Sequence, residues 1–319
     1  MNADTSEFSV SIVLCTYNGE RFLSKQLASF ENQTRLPDEI LIADDSSTDS
    51  TNAIIADFCK KTKIHISHYQ NLENIGFRAN FSNALAKSTS TITFLADQDD
   101  IWNPQKIEIM LQAFKNNQSA NVVVSQVELI NENDEAKGKL FSEKAISLFQ
   151  SEEEQWKPVF AFLTFPGTCM AIRTSFLKTH LPIPLDFAHD EWLLMNASLS
   201  NSLICIQTAL TEYRIHTNQT IGIRKGFSLR RLFLPTKLMP EKRKCEFLLS
   251  NLSLTTKQRL FILQRLDFIN RRICLRNLYF FGSCFYLLRN KDTKKLYSMF
   301  SRSPAKILIK DVFFHGLYR

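Results

Sequence analysis

The feature that most restricts how this chain can fold is a rhythm in its first 126 residues, where short β-branched runs alternate with segments of helical period. Residues 10–15 (VSIVLC), 39–43 (EILIA), 64–69, 91–96 (TITFLA) and 120–126 read as strands. Between them, 20–31, 47–61, 77–87 and 104–116 read as helices, the first with Phe22, Leu23, Gln26, Leu27 and Phe30 on one face. This alternation predicts an α/β, Rossmann-like architecture: a mostly parallel sheet with crossover helices. The chain holds only eight glycines, and neither G-x-G-x-x-G nor G-x-x-x-x-G-K-[ST] occurs in it. Any nucleotide chemistry therefore needs a device other than a glycine loop around phosphate.

Beyond residue 126 the rhythm breaks. Residues 129–157 are polar and acidic, with NENDE at 131–135 and SEEEQ at 151–155, and are expected to form a long loop or mobile excursion. Regular structure should resume over 159–173, with a helix at 191–201 and a strand near 203–214. The formal net charge of +7 is unevenly spread: residues 1–220 carry 17 Lys+Arg against 27 Asp+Glu, and residues 221–319 carry 22 against 5. The division predicts a catalytic domain over 1–222 and a basic, amphipathic helical region over 223–319. In that region Leu266, Ile269, Ile273 and Phe280 follow helical spacing beside a stripe of Arg265, Arg272 and Arg276, and further on Phe300 and residues 307–314 mix with Lys306 and Lys310. Such a face suits an anionic membrane surface; the competing reading is that these helices pack on the domain or join two copies as a homodimer. Nucleic acid is not expected as a partner, since the tail carries no motif of that class.

Seven cysteines without C-x-x-C spacing predict reduced thiols and a cytoplasmic chain. The first apolar run is too short for a signal peptide or a membrane span.

In open α/β sheets, ligands bind outside the carboxyl ends of the strands. The residues just past each run are acidic here: TYNGE at 16–20, DDSSTD at 44–49 and DQDD at 97–100. Carboxylates crowded on one crest repel one another, and a hard divalent cation such as Mg²⁺ or Mn²⁺ is their natural complement.

The runs CTYNGERFL (15–23), QT (33–34), ADDSSTD (43–49), NIGF (74–77) and LADQDDIWNP (95–104), together with PGTCMAIR (166–173), HDEW (189–192) and YRIHTN (213–218), resemble family 2 glycosyltransferases of the GT-A fold. The later motifs are similar to those of a bacterial rhamnosyltransferase-like branch. The resemblance covers residues 8–222 in order. It implies an inverting, metal-dependent transferase that takes a sugar, with rhamnose favoured, from a nucleotide-diphosphate donor. The acceptor implied is a glycan or a polyprenyl-linked saccharide of the O-antigen type, reached as a peripheral protein at the inner face of the membrane.

The resemblance also implies roles. Thr16, Tyr17, Asn18 and Glu20 would meet the donor, with Asp44 or Asp45 accepting from the base or holding the ribose and Arg78 or Asn80 completing the pocket. Asp97, with Gln98 beside it, and Asp99 form the D-x-D motif, and they and His216 would hold the metal. Asp190 matches the base, with Glu191 its rival, and Gly167, Thr168, Glu191 and Trp192 would line the acceptor side. Plainer readings compete: helix capping for Asp44, Asp45, Asp49 and Asp190, a solvated acidic turn for 97–100, a structural histidine for His216 and core packing for Trp192. Two other functions stay open: a sugar-nucleotide pyrophosphorylase, although residues 16–21 lack its glycine- and arginine-rich loop, and a non-catalytic membrane scaffold.

Overall fold

The computed structural model describes residues 7–149, 154–161, 165–216 and 238–277. The chain divides into two compact units: Met1–Gln155 with Thr164–Ile223, and Trp156–Leu163 with Arg224–Arg319.

The first unit is built on a nine-stranded sheet of order β3-β2-β1-β4-β8-β6-β9-β5, with β7 paired to β6. Its strands are β1 (Val10–Thr16), β2 (Glu39–Asp44), β3 (His65–Gln70), β4 (Ile92–Asp97), β5 (Ile101–Trp102), β6 (Val122–Ile130), β7 (Ala136–Lys139), β8 (Met170–Arg173) and β9 (Leu203–Arg214). From β3 to β4 every pairing is parallel, as the rhythm of the sequence predicts. Beyond β4 the sheet is mixed, because β8 enters antiparallel between β4 and β6. All seven residues of β1 are buried, as expected of a central parallel strand covered on both faces.

The helices of this unit are α1 (Leu23–Glu31), α2 (Thr51–Lys61), α3 (Phe77–Leu85), α4 (Lys106–Asn116), α5 (Glu143–Ser147), α7 (Thr174–Thr179) and α8 (His189–Leu199). The second unit holds α6 (Trp156–Ala161), α9 (Leu238–Asn251) and α10 (Thr256–Asn277). Leu23, Leu27 and Phe30 of α1 and Ile107, Met110, Leu111 and Phe114 of α4 join Ile12, Leu14, Phe94 and Trp102 in one apolar core.

Two helices begin later than their sequence period suggests. Before α1, Gly19 O accepts from the N–H groups of both Phe22 and Leu23, which makes residues 19–22 a turn. Before α2, residues 46–50 are spent on the side chains of Asp44, Asn18 and Glu20. The first N–H of α2, on Thr51, is met by Asp49 Oδ1 at 2.9 Å, so the capping reading of Asp49 holds.

The expected long excursion over 129–157 is corrected for 129–149, residues 150–153 lying outside the described residues. β6 runs on to Ile130 and turns into β7, and α5 follows. The polar composition encodes a tight turn: Asn131 Oδ1 accepts from the N–H of Asn133 at 3.0 Å and of Glu135 at 2.9 Å.

In the second unit a capping box starts α10, with Gln258 N donating to Thr255 Oγ1 and Thr255 N to Gln258 Oε1. The expected outward arginine stripe is corrected in part. Arg265 is bonded to Glu241 of α9 at 3.0 Å, and Arg272 is buried with its guanidinium 5.5 Å from the Phe268 ring. Phe280, Phe300, Lys306, Lys310 and residues 307–314 lie outside the described residues. Among the described residues no helix is long and apolar enough to cross a membrane.

Phe30 is fully buried, edge-on to Trp102 at 4.8 Å. Phe30→Ala is expected to cost about 3–5 kcal/mol of unfolding free energy, read as a lower urea midpoint.

Candidate active site

Register gathers the acidic strand ends. Thr16 stands opposite Asp44, and Cys15 opposite Asp97, so β2, β1 and β4 finish on one crest. Because β8 runs antiparallel to β4, with Phe94 opposite Ala171, the turn that leads into β8 lies beside the carboxyl end of β4. That turn is the 3₁₀ segment Gly167–Cys169.

The β2 end of the crest is internally satisfied. Asp44 accepts from Thr16 Oγ1 at 2.8 Å, Ser47 N at 2.8 Å, Ser47 Oγ at 2.5 Å and Asn52 Nδ2 at 3.1 Å. Asp45 accepts from Asn71 Nδ2 at 2.8 Å and from the N–H groups of Ile75 and Gly76, both at 2.9 Å. Both carboxylates are buried, as is Thr16. Their oxygens shape the loops that line the crest, and Asp45 Oδ2, which accepts from Gly76 N, keeps acceptor capacity for a base or ribose. Asn80 belongs to the same network, donating to Ala43 O and accepting from Asn71. Arg78 is exposed and donates to Leu185 O at 3.0 Å.

After β1 the chain is clasped by Gln98. Its Oε1 accepts from Tyr17 N and its Nε2 donates to Tyr17 O, both at 2.9 Å, which leaves the Tyr17 ring 45% exposed and available for stacking. A Cβ on Gly19 would stand 2.2 Å from Gln98 Oε1, so a side chain there would displace the Gln98 amide from this clasp. Asn18 and Glu20 latch onto the 47–50 loop: Asn18 Oδ1 accepts from Thr48 N at 2.9 Å and Glu20 Oε2 from Ser50 N at 3.0 Å.

At the β4 end the carboxylates are crowded. Burial, then the charges of Asp99 and Asp190, push Asp97 up to about 8. Asp100 is fully buried and likewise pushed well up, by burial and by Asp99 and Asp97. Asp99 pairs with His216, Nε2 to Oδ2 at 2.8 Å.

Two cations beneath this end carry no assigned role in the sequence reading. Lys106 is fully buried, donates to Thr168 O and to Thr211 Oγ1 at 2.9 Å, and lies 3.6 Å from the Trp102 ring centroid. Burial outweighs its acidic neighbours and lowers it to about 7. Arg214 is also fully buried and donates from Nε to Asp99 O at 2.7 Å. Strand alternation offered a signal for Arg214, since residues two apart, such as 214 and 216, share a face.

Asp190 stands in the first turn of α8. Its Oδ1 accepts from Glu191 N at 2.8 Å, so part of its capping reading holds, while its charge is felt at Asp97. The preceding His189 stacks on Phe81 at 3.9 Å, and its Nε2 would lie 2.8 Å from a Cβ on Gly167. Gly167 and Thr168 are buried. For Trp192 the core-packing reading holds over the acceptor-lining one: it is 6% exposed, donates to His180 O at 2.9 Å and packs on Phe187.

Among the described residues no group of three or more His, Cys, Asp or Glu side chains stands together as a metal cage. The Asp99–His216 pair with Asp97 nearby is a partial oxygen and nitrogen set. It fits a divalent cation that draws its other ligands from a diphosphate and water, which is the habit of Mg²⁺.

Comparison with known proteins agrees with this geometry. Residues 11–181 match the sequence profile of Glycosyl transferase family 2. An uncharacterized glycosyltransferase of Nostoc sp. is 26% identical over 217 residues, which are 65% of each chain. The Escherichia coli UDP-Glc:alpha-D-GlcNAc-diphosphoundecaprenol beta-1,3-glucosyltransferase WfgD is 29% identical over 128 residues, 40% of this chain and 49% of that one. Among solved structures, S. aureus TarS 1–349 in complex with UDP-GlcNAc has a TM-score of 0.61 at 17% identity, covering 98% of this chain and 91% of that one. The mannosyltransferase PcManGT of Pyrobaculum calidifontis, in complex with GDP-Man and Mn²⁺, has a TM-score of 0.57 at 13% identity, covering 98% and 88%. These likenesses establish the GT-A fold.

The raised Asp97 makes a pH prediction for the metal-free protein. The unfolded chain releases this proton at pH about 4, and the folded one only near 8. Folded protein thus holds more protons across that window, and stability falls as pH rises through it. Thermal midpoints measured in EDTA should decline from pH 6 to pH 8.5, and Asp97→Asn should flatten that decline.

Proposed function

The chain belongs to glycosyl transferase family 2, and we propose that it transfers a sugar from a nucleotide-diphosphate donor to a saccharide acceptor with inversion at the anomeric carbon. The observation that carries this reading is that Asp190, in the first turn of α8, stands close enough to the D-x-D segment for its charge to act on Asp97. A displacement needs a base on the acceptor side, opposite the leaving nucleotide, and Asp190 is the carboxylate we assign to that task.

In the proposed reaction the acceptor oxygen bonds to the anomeric carbon while the bond from that carbon to the diphosphate oxygen breaks. Asp190 takes the acceptor hydroxyl proton, and the nucleoside diphosphate departs with the bonding electrons. Tyr17 stacks on the base, and the loops braced by Asp44 and Asp45 line its pocket. Asp97, Asp99 and His216 would hold Mg²⁺ or Mn²⁺, which would supply positive charge to the leaving diphosphate.

The acceptor we favour is a growing surface glycan on a polyprenyl diphosphate, with rhamnose the first donor sugar to test. Support comes from the name of the E. coli relative, a glucosyltransferase acting on a diphosphoundecaprenol-linked sugar, and from the similarity of the later motifs to a rhamnosyltransferase-like branch. The basic excess after residue 220 favours a peripheral place at an anionic inner leaflet.

Asp190→Asn is expected to lower transfer by about 100-fold or more while nucleotide affinity stays within about twofold. Assays with Mn²⁺ and a panel of UDP-, dTDP- and GDP-sugars check it; retained turnover would move the base to Glu191. In flotation the full chain should rise with phosphatidylglycerol vesicles and not with phosphatidylcholine ones, and added salt should release it.

A further inference from the structure

The turn between β6 and β7 is acidic, NENDE at 131–135, and the proposed reaction leaves it unused. Its side chains nevertheless reach the D-x-D end of the crest. Asp134 Oδ1 accepts from Arg214 Nη1 at 2.5 Å, and the same nitrogen donates to Asn131 O at 2.9 Å. From its other side Arg214 donates Nε–H to Asp99 O at 2.7 Å, and its backbone N–H meets Asp100 Oδ1 at 2.9 Å. Two residues on, His216 Nε2 meets Asp99 Oδ2 at 2.8 Å. Phe22 packs against both, 4.5 Å from the Arg214 guanidinium and 5.1 Å from the His216 ring.

The turn is itself anchored to α1 and the turn before it, by Lys25 on Asp134 and by Arg21 on Glu132 at 2.6 Å. Bonds from Lys25 and Arg214 outweigh partial burial and hold the Asp134 carboxyl below the usual range, so it is charged at neutral pH. A buried guanidinium robbed of its counter-charge is costly, and it shifts or admits water to relieve the cost. Here any shift passes directly to the Asp99 peptide and to the end of β9.

We propose that Asp134 is a positioning residue: through the Arg214 guanidinium it fixes the Asp99 peptide and the chain leading to His216, and so holds the Asp99 carboxylate and the His216 imidazole together as a preformed half of the cation site. The part of this inference that concerns the cation rests on the metal-dependent reading above. Partners one shell out from metal ligands typically tune affinity by about 10-fold or more.

Three variants of the full chain separate the possibilities. Asp134→Gly removes the carboxylate without strain, because Asp134 sits at φ 65°, a left-handed conformation that glycine enters freely. Asp134→Asn keeps an acceptor for Arg214 and tolerates the same backbone. Glu132→Gln removes a neighbouring charge, the one paired with Arg21, from the same turn.

Mn²⁺ is titrated in the presence of UDP by the paramagnetic resonance of free Mn²⁺, and turnover is measured against Mn²⁺. The half-saturating concentration should rise about 10-fold in Asp134→Gly, by less in Asp134→Asn, which keeps an acceptor but loses the charge, and stay within about twofold in Glu132→Gln, with kcat at saturating Mn²⁺ little changed in all three. In the metal-free protein, the His216 ring nitrogen shifts should move in Asp134→Gly toward those of Asp99→Asn. Native Mn²⁺ affinity and unmoved His216 shifts in Asp134→Gly would overturn the inference. A native chain that binds no Mn²⁺ with UDP overturns the metal reading instead, and the His216 shifts then decide the clamp alone.

Discussion

Charge crowding at the carboxyl edge of the sheet is the constraint around which the rest of this molecule is arranged. Parallel register sets the ends of β2, β1 and β4 side by side, and these ends carry Asp44, Asp45, Asp97, Asp99 and Asp100 within a few residues of one another. Unit charges about 4 Å apart cost about 1 kcal/mol even in water, and several-fold more where water is excluded. The structure relieves this in two ways. At the β2 end, backbone and side-chain donors occupy the carboxylate oxygens. At the β4 end, two buried cations, Lys106 and Arg214, sit beneath the turn, and Asp97 and Asp100 still hold their protons to unusually high pH. The residual acidity at the β4 end is what a divalent cation would neutralise.

The mixed half of the sheet serves the same edge. Antiparallel entry of β8 beside β4 brings the Gly167–Cys169 turn against the D-x-D segment, where Lys106 ties Thr168 O to Thr211 of β9. A Cβ on Gly167 would stand 2.8 Å from His189 Nε2, so this turn packs closely on the start of α8, which carries Asp190 in its first turn. The D-x-D segment and the Gly167–Cys169 turn beside it therefore come from the parallel and the antiparallel half of one sheet, a division the parallel rhythm alone would not supply.

Much of this was legible before any coordinates. The strand runs carried the parallel half almost to the residue, because buried central strands have little choice but β-branched and apolar side chains, as in residues 10–15. The D-x-D carboxylates, His216 and Asp190 also come to one edge. Less legible were roles that depend on who answers a polar group. Asp44 and Asp45 look like ligands in the sequence, yet Thr16, Ser47, Asn52 and Asn71 donate to their oxygens. Lys106 opens a helix like any solvated lysine, and only the fold shows it buried against Trp102. The turn at 131–135 looked mobile because its acidity has no local counterpart; its partners, Lys25, Arg21 and Arg214, are distant in sequence.

The proposed function requires this crest to bind a nucleoside diphosphate together with a divalent cation that Asp97, Asp99 and His216 would hold. Crystals grown with Mn²⁺ and UDP, with diffraction recorded at the manganese absorption edge, test it most directly. The account predicts one anomalous peak within coordination distance of the Asp99 carboxylate and bridged to the diphosphate. A nucleotide bound on the crest with no peak there, or a peak remote from Asp97, Asp99 and His216, would contradict it.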